Sequence, residues 1–172
     1  MARSPARVLT VAALALLAAS GAGAAWPERP VTVVVASPAG GPVDAVARLV
    51  GPGMAAALGQ PVVVQNVPGA AGVVGVERLV RSPPDGHTLA LSGDAAVVTR
   101  VSMEPRPPYD PRRDLAPVSL LAAAPNLLVV AGDFPARDLQ GLVALARARP
   151  GALGFAHTGP GTSQHIAGEL LR

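Results

Sequence analysis

Apolar positions along the chain predict strands and helices that alternate. Val31–Val35 is a continuous run of β-branched apolar residues of the kind that forms a buried strand. After a turn rich in glycine and proline, apolar residues recur at helical spacing as far as residue 58. We expect the Gly-Pro-Gly sequence at 51–53 to kink or break this helix, because an interior proline costs about 3 kcal/mol.

The same alternation continues along the chain. Residues 61–66 and 87–92 have the pattern of short buried strands, and residues 73–80 and 94–103 have helical spacing. This order predicts parallel strands joined by right-handed crossovers, which is an α/β fold. We further predict an exposed connection at 104–114, strands at 115–123, 126–131 and 153–156, and helices at 138–149 and 164–172.

The first 25 residues have the layout of a secretory signal. Arg3 and Arg7 precede an apolar run at 8–19, and small residues follow as far as Ala25. The apolar run is shorter than the roughly 20 residues that a membrane span needs. We therefore predict a signal peptide at residues 1–25 that is cleaved after Ala25, with a membrane anchor as the alternative.

Composition excludes several kinds of site. The sequence contains no cysteine and no lysine, so disulfides, thiolate zinc sites, Schiff bases and lysine-containing phosphate loops are excluded. Without Arg3 and Arg7, 12 basic residues stand against 11 acidic ones, a net charge of +1. No cluster of arginines among aromatic residues is present, so we expect no nucleic-acid partner. We also expect no metal and no cofactor.

Two glycine-rich turns precede helices and contain the candidate chemistry. In the first, Gly40 and Gly41 allow a sharp bend, and Pro42 suits the first turn of a helix. In the second, residues 157–163 read His-Thr-Gly-Pro-Gly-Thr-Ser. Free N–H groups and the positive end of a helix dipole favour an anion at such a turn. A turn that binds nothing is the alternative, since neither has the glycine pattern of a nucleotide site.

Three side chains near these turns have simpler interpretations. Asp44 complements the dipole of the helix that it begins, and only secondarily is it a candidate ligand contact. His165 and Glu169 share a helix face. A hydrogen bond on the helix surface is favoured there over a metal pair, because no third ligand is evident.

Several segments, in order along the whole mature sequence, resemble one family. They include Trp-Pro-Glu-Arg-Pro-Val at 26–31, Pro-Ala-Gly-Gly-Pro-Val-Asp at 38–44, Pro-Asp-Gly-His-Thr-Leu at 84–89 and Gly-Pro-Gly-Thr-Ser-Gln-His at 159–165. These segments are similar to the receptors of tripartite tricarboxylate transporters, the Bug-type periplasmic solute-binding proteins.

This resemblance implies an α/β, two-lobed periplasmic-binding-protein (Venus-flytrap) fold, with a first lobe at 26–114 and the start of a second lobe at 115–172. It implies a periplasmic, monomeric receptor with no catalytic residue. This receptor would capture a small carboxylate and deliver it to the membrane permease subunits of a tripartite transporter. The ligand would be held by backbone N–H groups and hydroxyls of two turns, at 37–44 and 158–165. The ligand-binding residues implied are Ser37, Ala39, Gly40, Gly41, Asp44, Thr158, Gly159, Gly161, Thr162, Ser163 and His165.

The sequence departs from the family in a few places. Ser37 stands where the family usually has an aromatic residue, and Val67 and Val73 stand near a usual arginine and a usual small polar residue. Chains of the family are also nearly twice as long, so we expect a chain truncated within the second lobe.

Two other functions stay open from the sequence. An α/β hydrolase or transferase would use Ser163 with His157 or His165, although His165 lies only two residues from Ser163, which gives poor geometry for a nucleophile and its base. The other alternative is a non-functional fragment of a receptor.

Overall fold

A three-stranded parallel sheet organises the first part of the chain. The computed structural model describes residues 26–172, so the predicted signal peptide lies outside the described residues. The strands are β1 (Val31–Val35), β2 (Val62–Asn66) and β3 (Thr88–Leu91), in the order β2–β1–β3. Both pairs are parallel, with Val33 opposite Val64 on one side and Leu89 on the other. These strands and their parallel pairing confirm the sequence prediction.

Helices cover both faces of this sheet. Helix α1 (Pro42–Leu58) packs through Ala47 against Val33 and Val35 of β1. On the opposite face, helix α2 (Val73–Val80) packs through Val76 in a cluster that includes Ala36. Because successive side chains of a strand point to opposite faces, the uninterrupted valines of β1 supply the core on both sides.

The predicted break in α1 is wrong, because the helix continues through Pro52 to Leu58. Pro52 removes one backbone hydrogen bond, but Ala47 and Gly51 before it are buried, and Gly51 faces Val62 of β2. After the proline, the partly buried Met54 packs against the cluster of Val33, Val35 and Ala47. Tertiary packing on both sides of the proline therefore outweighs the local cost of about 3 kcal/mol. The helix ends at Gly59, which has a positive φ of 66°.

The segment that follows β3 packs back against the sheet. It contains a π-helical turn (Ala95–Thr99), which we call the π-turn, and the short helices α3 (Arg100–Met103) and α4 (Pro111–Asp114). The predicted exposed connection is wrong at Tyr109, which is 3% exposed and donates a hydrogen bond from its hydroxyl to the Ala96 carbonyl at 2.6 Å. A buried aromatic ring thus ties this connection to the core.

The second part of the chain contains helices α5 (Leu139–Ala148) and α6 (Ser163–Leu171), close to the predicted bounds. The strands predicted at 115–123, 126–131 and 153–156 are wrong, because no strand is formed there. A strand requires backbone hydrogen bonds to a neighbour, and no segment of residues 26–172 pairs with these runs. Their large apolar side chains are exposed, among them Val118, Leu120, Leu127, Leu128 and Val129.

Across residues 26–172, the helices are all too short or too polar to cross a lipid bilayer.

Candidate functional site

The first turn, residues 37–44, joins β1 to α1 and is closed by Asp44. The Asp44 side chain is buried, and its carboxylate accepts a hydrogen bond from the N–H of Gly40 at 2.8 Å. The carboxylate also accepts from Arg48 Nε and from Asn66 Nδ2, each at 2.9 Å. Asn66 Nδ2 donates in addition to the Ser37 carbonyl at 3.2 Å. One buried carboxylate and one amide therefore fix both ends of the turn.

Electrostatics reinforce this network. The hydrogen bond from Arg48, followed by those from Gly40 and Asn66, holds the pKa of Asp44 well below its usual range. The same carboxylate raises the pKa of the Arg48 guanidinium. Since three protein donors already occupy the Asp44 carboxylate, a direct ligand contact by this side chain stays a prediction.

The backbone N–H groups of the first turn fall into two sets. Gly40 donates to Asp44, and Gly41 donates to a carbonyl inside the turn at 3.3 Å. Within residues 26–172, the N–H groups of Ser37, Ala39, Val43 and Asp44 have no hydrogen-bond acceptor. The donors available to a ligand therefore lie at Ser37, at Ala39 and at the start of α1, and ligand contacts by the two glycine N–H groups stay predictions.

The second turn, residues 157–163, leads into α6 and is closed by Thr162. Thr162 is buried, and its Oγ1 donates to the Gly159 carbonyl at 2.7 Å and accepts from the N–H of His165 at 3.4 Å. The Gly161 N–H donates to His165 Nδ1 at 3.2 Å, and the Gly159 N–H donates to His157 Nδ1 at 3.0 Å. Both histidines thus accept through Nδ1, which leaves Nε2 to carry the proton of each neutral ring.

The start of α6 resembles the start of α1. Among the described residues, the N–H groups of Ser163 and Gln164 have no acceptor, as is the case for Val43 and Asp44 at the start of α1. The hydroxyls nearby are those of Ser163, 3.5 Å from Asn126 Oδ1, and of Thr158, 3.3 Å from Gln164 Oε1. Two consecutive free N–H groups at the positive end of a helix dipole form a favourable place for an anion.

The predicted site residues lie in these two turns and in the first turns of the helices that follow them. Ala39, Gly40 and Thr158 are exposed; Ser37, Gly41, Gly159, Ser163 and His165 are half-buried; Asp44, Gly161 and Thr162 are buried. The second turn contacts the segment after β3, because the Thr99 hydroxyl donates to the Gly161 carbonyl. Two open surface grooves lie elsewhere, one along α5 and one between α1 and β2.

Sequence reasoning missed the partners that shape the turns. Arg48 and Asn66 hold the first turn, and Thr99 holds the second. Asn66 carried a signal, since it is a polar residue at the carboxyl end of an otherwise apolar strand, next to the end of β1. Thr99 carried no such signal, because no local sequence pattern connects it to Gly161, which lies 62 residues away.

Comparison with known proteins identifies the family. Residues 46–172 match the family model described as the tripartite tricarboxylate transporter family receptor. The chain belongs to this receptor family. It is 44% identical, over 168 residues, to the protein encoded in the tcbD–tcbE intergenic region of a Pseudomonas species, and the match covers 96% of this chain and 50% of that protein. The chain therefore spans about half the length of the curated relatives that it matches.

Solved structures of receptor-like proteins have the same fold. MatC from Rhodopseudomonas palustris, solved with bound malate, is 38% identical with a TM-score of 0.75, and the match covers 85% of this chain and 50% of that one. An R. palustris protein solved with adipate is 32% identical with a TM-score of 0.77, and the match covers 84% of this chain and 48% of that one. The predicted α/β fold of a periplasmic binding protein is thereby confirmed.

The side-chain geometry at Ser163 and His165 does not support the alternative that the protein is an enzyme. The Ser163 hydroxyl faces Asn126, while His165 Nδ1 is occupied by the Gly161 N–H. Among residues 26–172, no group of three or more histidine, aspartate and glutamate side chains is placed to hold a metal ion. At the level of the family, the expectation of a receptor rather than an enzyme is confirmed.

Proposed function

We propose that the complete protein is an extracytoplasmic receptor that binds a small carboxylate, and that the two turns at 37–44 and 158–165 hold this ligand. The observation that carries the proposal is the pair of consecutive free N–H groups at the start of each of two helices, α1 and α6. Each helix start provides two donors and a positive dipole end, so together they can stabilise the charge of a carboxylate.

The rigidity of both turns supports this proposal. In the first turn, the network of Asp44, Arg48 and Asn66 fixes the backbone without using the N–H groups of Val43 and Asp44. In the second turn, Thr162 caps α6 and leaves Ser163 and Gln164 free. Donors that are already oriented lose little conformational entropy when a ligand binds.

The relatives suggest the chemical class of the ligand. The two R. palustris structures were solved with malate and with adipate, which are both dicarboxylates. A clamp of backbone N–H groups recognises a carboxylate oxygen and makes few demands on the rest of the molecule. We therefore propose a dicarboxylate or a similar small organic acid as the ligand, and membrane permease subunits of a tripartite transporter as the partner.

Location and domain division belong to the same proposal. A receptor of this family would act in the periplasm, reached through the signal peptide predicted at residues 1–25. We place the lobe boundary between residues 114 and 115, because the buried hydrophobic residues found within 26–172 all lie between Val31 and Tyr109. Residues 115–172 would then begin the second lobe.

Calorimetric titration of the complete protein with malate and with adipate tests the proposal. We expect saturable binding of one dicarboxylate per protein, and no heat from the matched diamides, which have similar shape without charge. No binding of any dicarboxylate or tricarboxylate by a protein that melts cooperatively would overturn the proposal. Failure of residues 26–172 to melt cooperatively would instead favour the alternative of a non-functional fragment of a receptor.

A further inference from the structure

One side-chain contact connects the second turn to the first part of the chain. The hydroxyl of Thr99 donates a hydrogen bond to the carbonyl of Gly161, across 62 residues of sequence. Gly161 is buried and has a φ of +81°, and a Cβ added to it would lie 3.2 Å from Arg100 Cα and 3.3 Å from Arg100 Cβ. The turn therefore sits directly on the backbone where the π-turn passes into α3.

The π-turn is itself held against the end of β1. Its Ala96 is fully buried, and the Ala96 carbonyl accepts the hydrogen bond of the Tyr109 hydroxyl at 2.6 Å. Gly72 lies between Ala96 and Ala36, because a Cβ added to Gly72 would be 3.2 Å from Ala96 Cβ and 3.1 Å from the Ala36 carbonyl oxygen. Ala36 immediately precedes the first turn, so the π-turn packs toward the base of one turn through Gly72 and contacts the carbonyl of the other directly.

We propose that Thr99 is a positioning residue for ligand binding. Its hydroxyl holds the Gly161 carbonyl and thereby fixes where the N–H groups of Ser163 and Gln164 point. This inference rests on the proposed function, and it adds a residue outside both turns. A π-turn contains one residue more than an α-helical turn, which rotates the following side chains by about 100° relative to an uninterrupted helix. Thr99 is the last residue of the π-turn, so the conformation of this turn bears on the direction in which its hydroxyl points.

The test compares two substitutions at Thr99 in the complete protein. Thr99→Val keeps the shape and removes the hydroxyl, while Thr99→Ser keeps the hydroxyl. Ser102→Ala is the matched control, because the Ser102 hydroxyl bonds only the Val98 carbonyl of its own helical segment. With malate and adipate as probes, we expect Thr99→Val to weaken binding about fivefold, the usual effect of one lost hydrogen bond, and the other two variants to bind like wild type.

Hydrogen exchange separates this inference from the proposed function. If wild type binds neither probe, the proposed function fails, and exchange at the hydrogen-bonded N–H groups of Gly161, Thr162, His165 and Ile166 still tests the contact. We expect faster exchange there in Thr99→Val only. Exchange at the wild-type rate in Thr99→Val, or unchanged affinity in a protein that binds malate, would overturn the inference.

A second variant covers the case in which Thr99→Val does not fold. Gly161→Ala approaches the same contact from the other side, since its Cβ would press on the backbone of Arg100. We expect it to weaken binding of malate and adipate at least as much as Thr99→Val. Wild-type affinity in Gly161→Ala would count against a positioning role for this contact.

Discussion

The Asp44 carboxylate accepts a hydrogen bond from the N–H of Gly40 at 2.8 Å, so a residue inside α1 closes the turn that precedes its own helix. This hydrogen bond makes the Gly40 N–H unavailable to a ligand, whereas the N–H groups of Val43 and Asp44 have no acceptor among the described residues. A carboxylate that looks like a dipole partner in the sequence is therefore the residue that shapes the first turn.

Replacing Asp44 by asparagine should open this turn. The amide of Asp44→Asn would lose the charge that Arg48 pairs with, and it could not accept from Gly40, Arg48 and Asn66 at once. We expect a melting temperature several degrees lower and weaker binding of dicarboxylates. Asp133→Asn, at an exposed position, is the control and should melt like wild type. Unchanged melting in Asp44→Asn would contradict the role of this network.

At low pH, the wild-type protein should lose the stabilisation that the charged Asp44 carboxylate provides. The pKa of Asp44 is held below its usual range, first of all by the hydrogen bond from Arg48, so the folded state favours the charged carboxylate. Such a group stabilises the fold above its unfolded pKa of about 3.9, and this stabilisation is lost as the pH falls toward the lower folded value. Melting temperatures of wild type and Asp44→Asn should therefore converge below about pH 4. A constant gap down to the lowest pH that permits measurement would contradict this cause.

Alkali should report on Tyr109, the single tyrosine of the sequence. Burial, followed by the nearby charge of Glu77, raises the pKa of Tyr109 to about 12. The neutral phenol then stabilises the fold below the unfolded pKa of about 10, and this stabilisation is lost as the pH rises toward 12. Ultraviolet absorbance of tyrosinate should appear late in the folded protein and near pH 10 in urea. Identical titration curves in both states would contradict the buried environment.

Two glycine substitutions in helices should have opposite effects. A Cβ at Gly75 of α2 would lie 2.7 Å from Ala36 Cα, so we expect Gly75→Ala to lower the free energy of unfolding by about 1–3 kcal/mol. At Gly53 of α1, nothing lies within 4 Å of an added Cβ, and Gly53→Ala should raise the free energy of unfolding by about 0.5–1 kcal/mol. Urea denaturation measures both. Changes of the same sign in the two variants would contradict the predicted difference in packing between Gly75 and Gly53.

A proline at position 163 should remove one N–H donor from α6 while preserving the helix. Ser163 occupies the first helical position, where proline is tolerated, and Thr162 before it is extended, with φ −75° and ψ 158°. We expect Ser163→Pro to weaken malate and adipate binding about tenfold, because a hydrogen bond to a charged group is lost. Ser163→Ala removes only the hydroxyl and serves as the control. Equal losses in the two variants would assign binding to the hydroxyl instead of the backbone.

Much of the fold follows from local patterns. The β-branched runs at Val31–Val35 and Val62–Asn66 formed strands as predicted. Because a helix connects one strand to the next, the strands pair in parallel. The predicted strands at 115–123, 126–131 and 153–156 failed, because apolar character alone does not supply the neighbouring backbone that a strand must bond. The helix through Pro52 formed against its local preference, because Ala47 and Gly51 before the proline are buried and Met54 after it packs against the core.

The sequence by itself determined that two glycine turns begin helices and that the chain belongs to a receptor family. Only the tertiary structure decided which N–H groups of those turns are free. Gly40 loses its donor to Asp44, Asn66 fixes Ser37 from another strand, and Thr99 holds Gly161 from 62 residues away. The reason is physical: a backbone donor is available to a ligand only when no acceptor of the folded chain reaches it. The acceptors Asp44 and His165 are near in sequence, but Asn66 and Thr99, which hold the carbonyls of the turns, come from distant segments that only folding brings there.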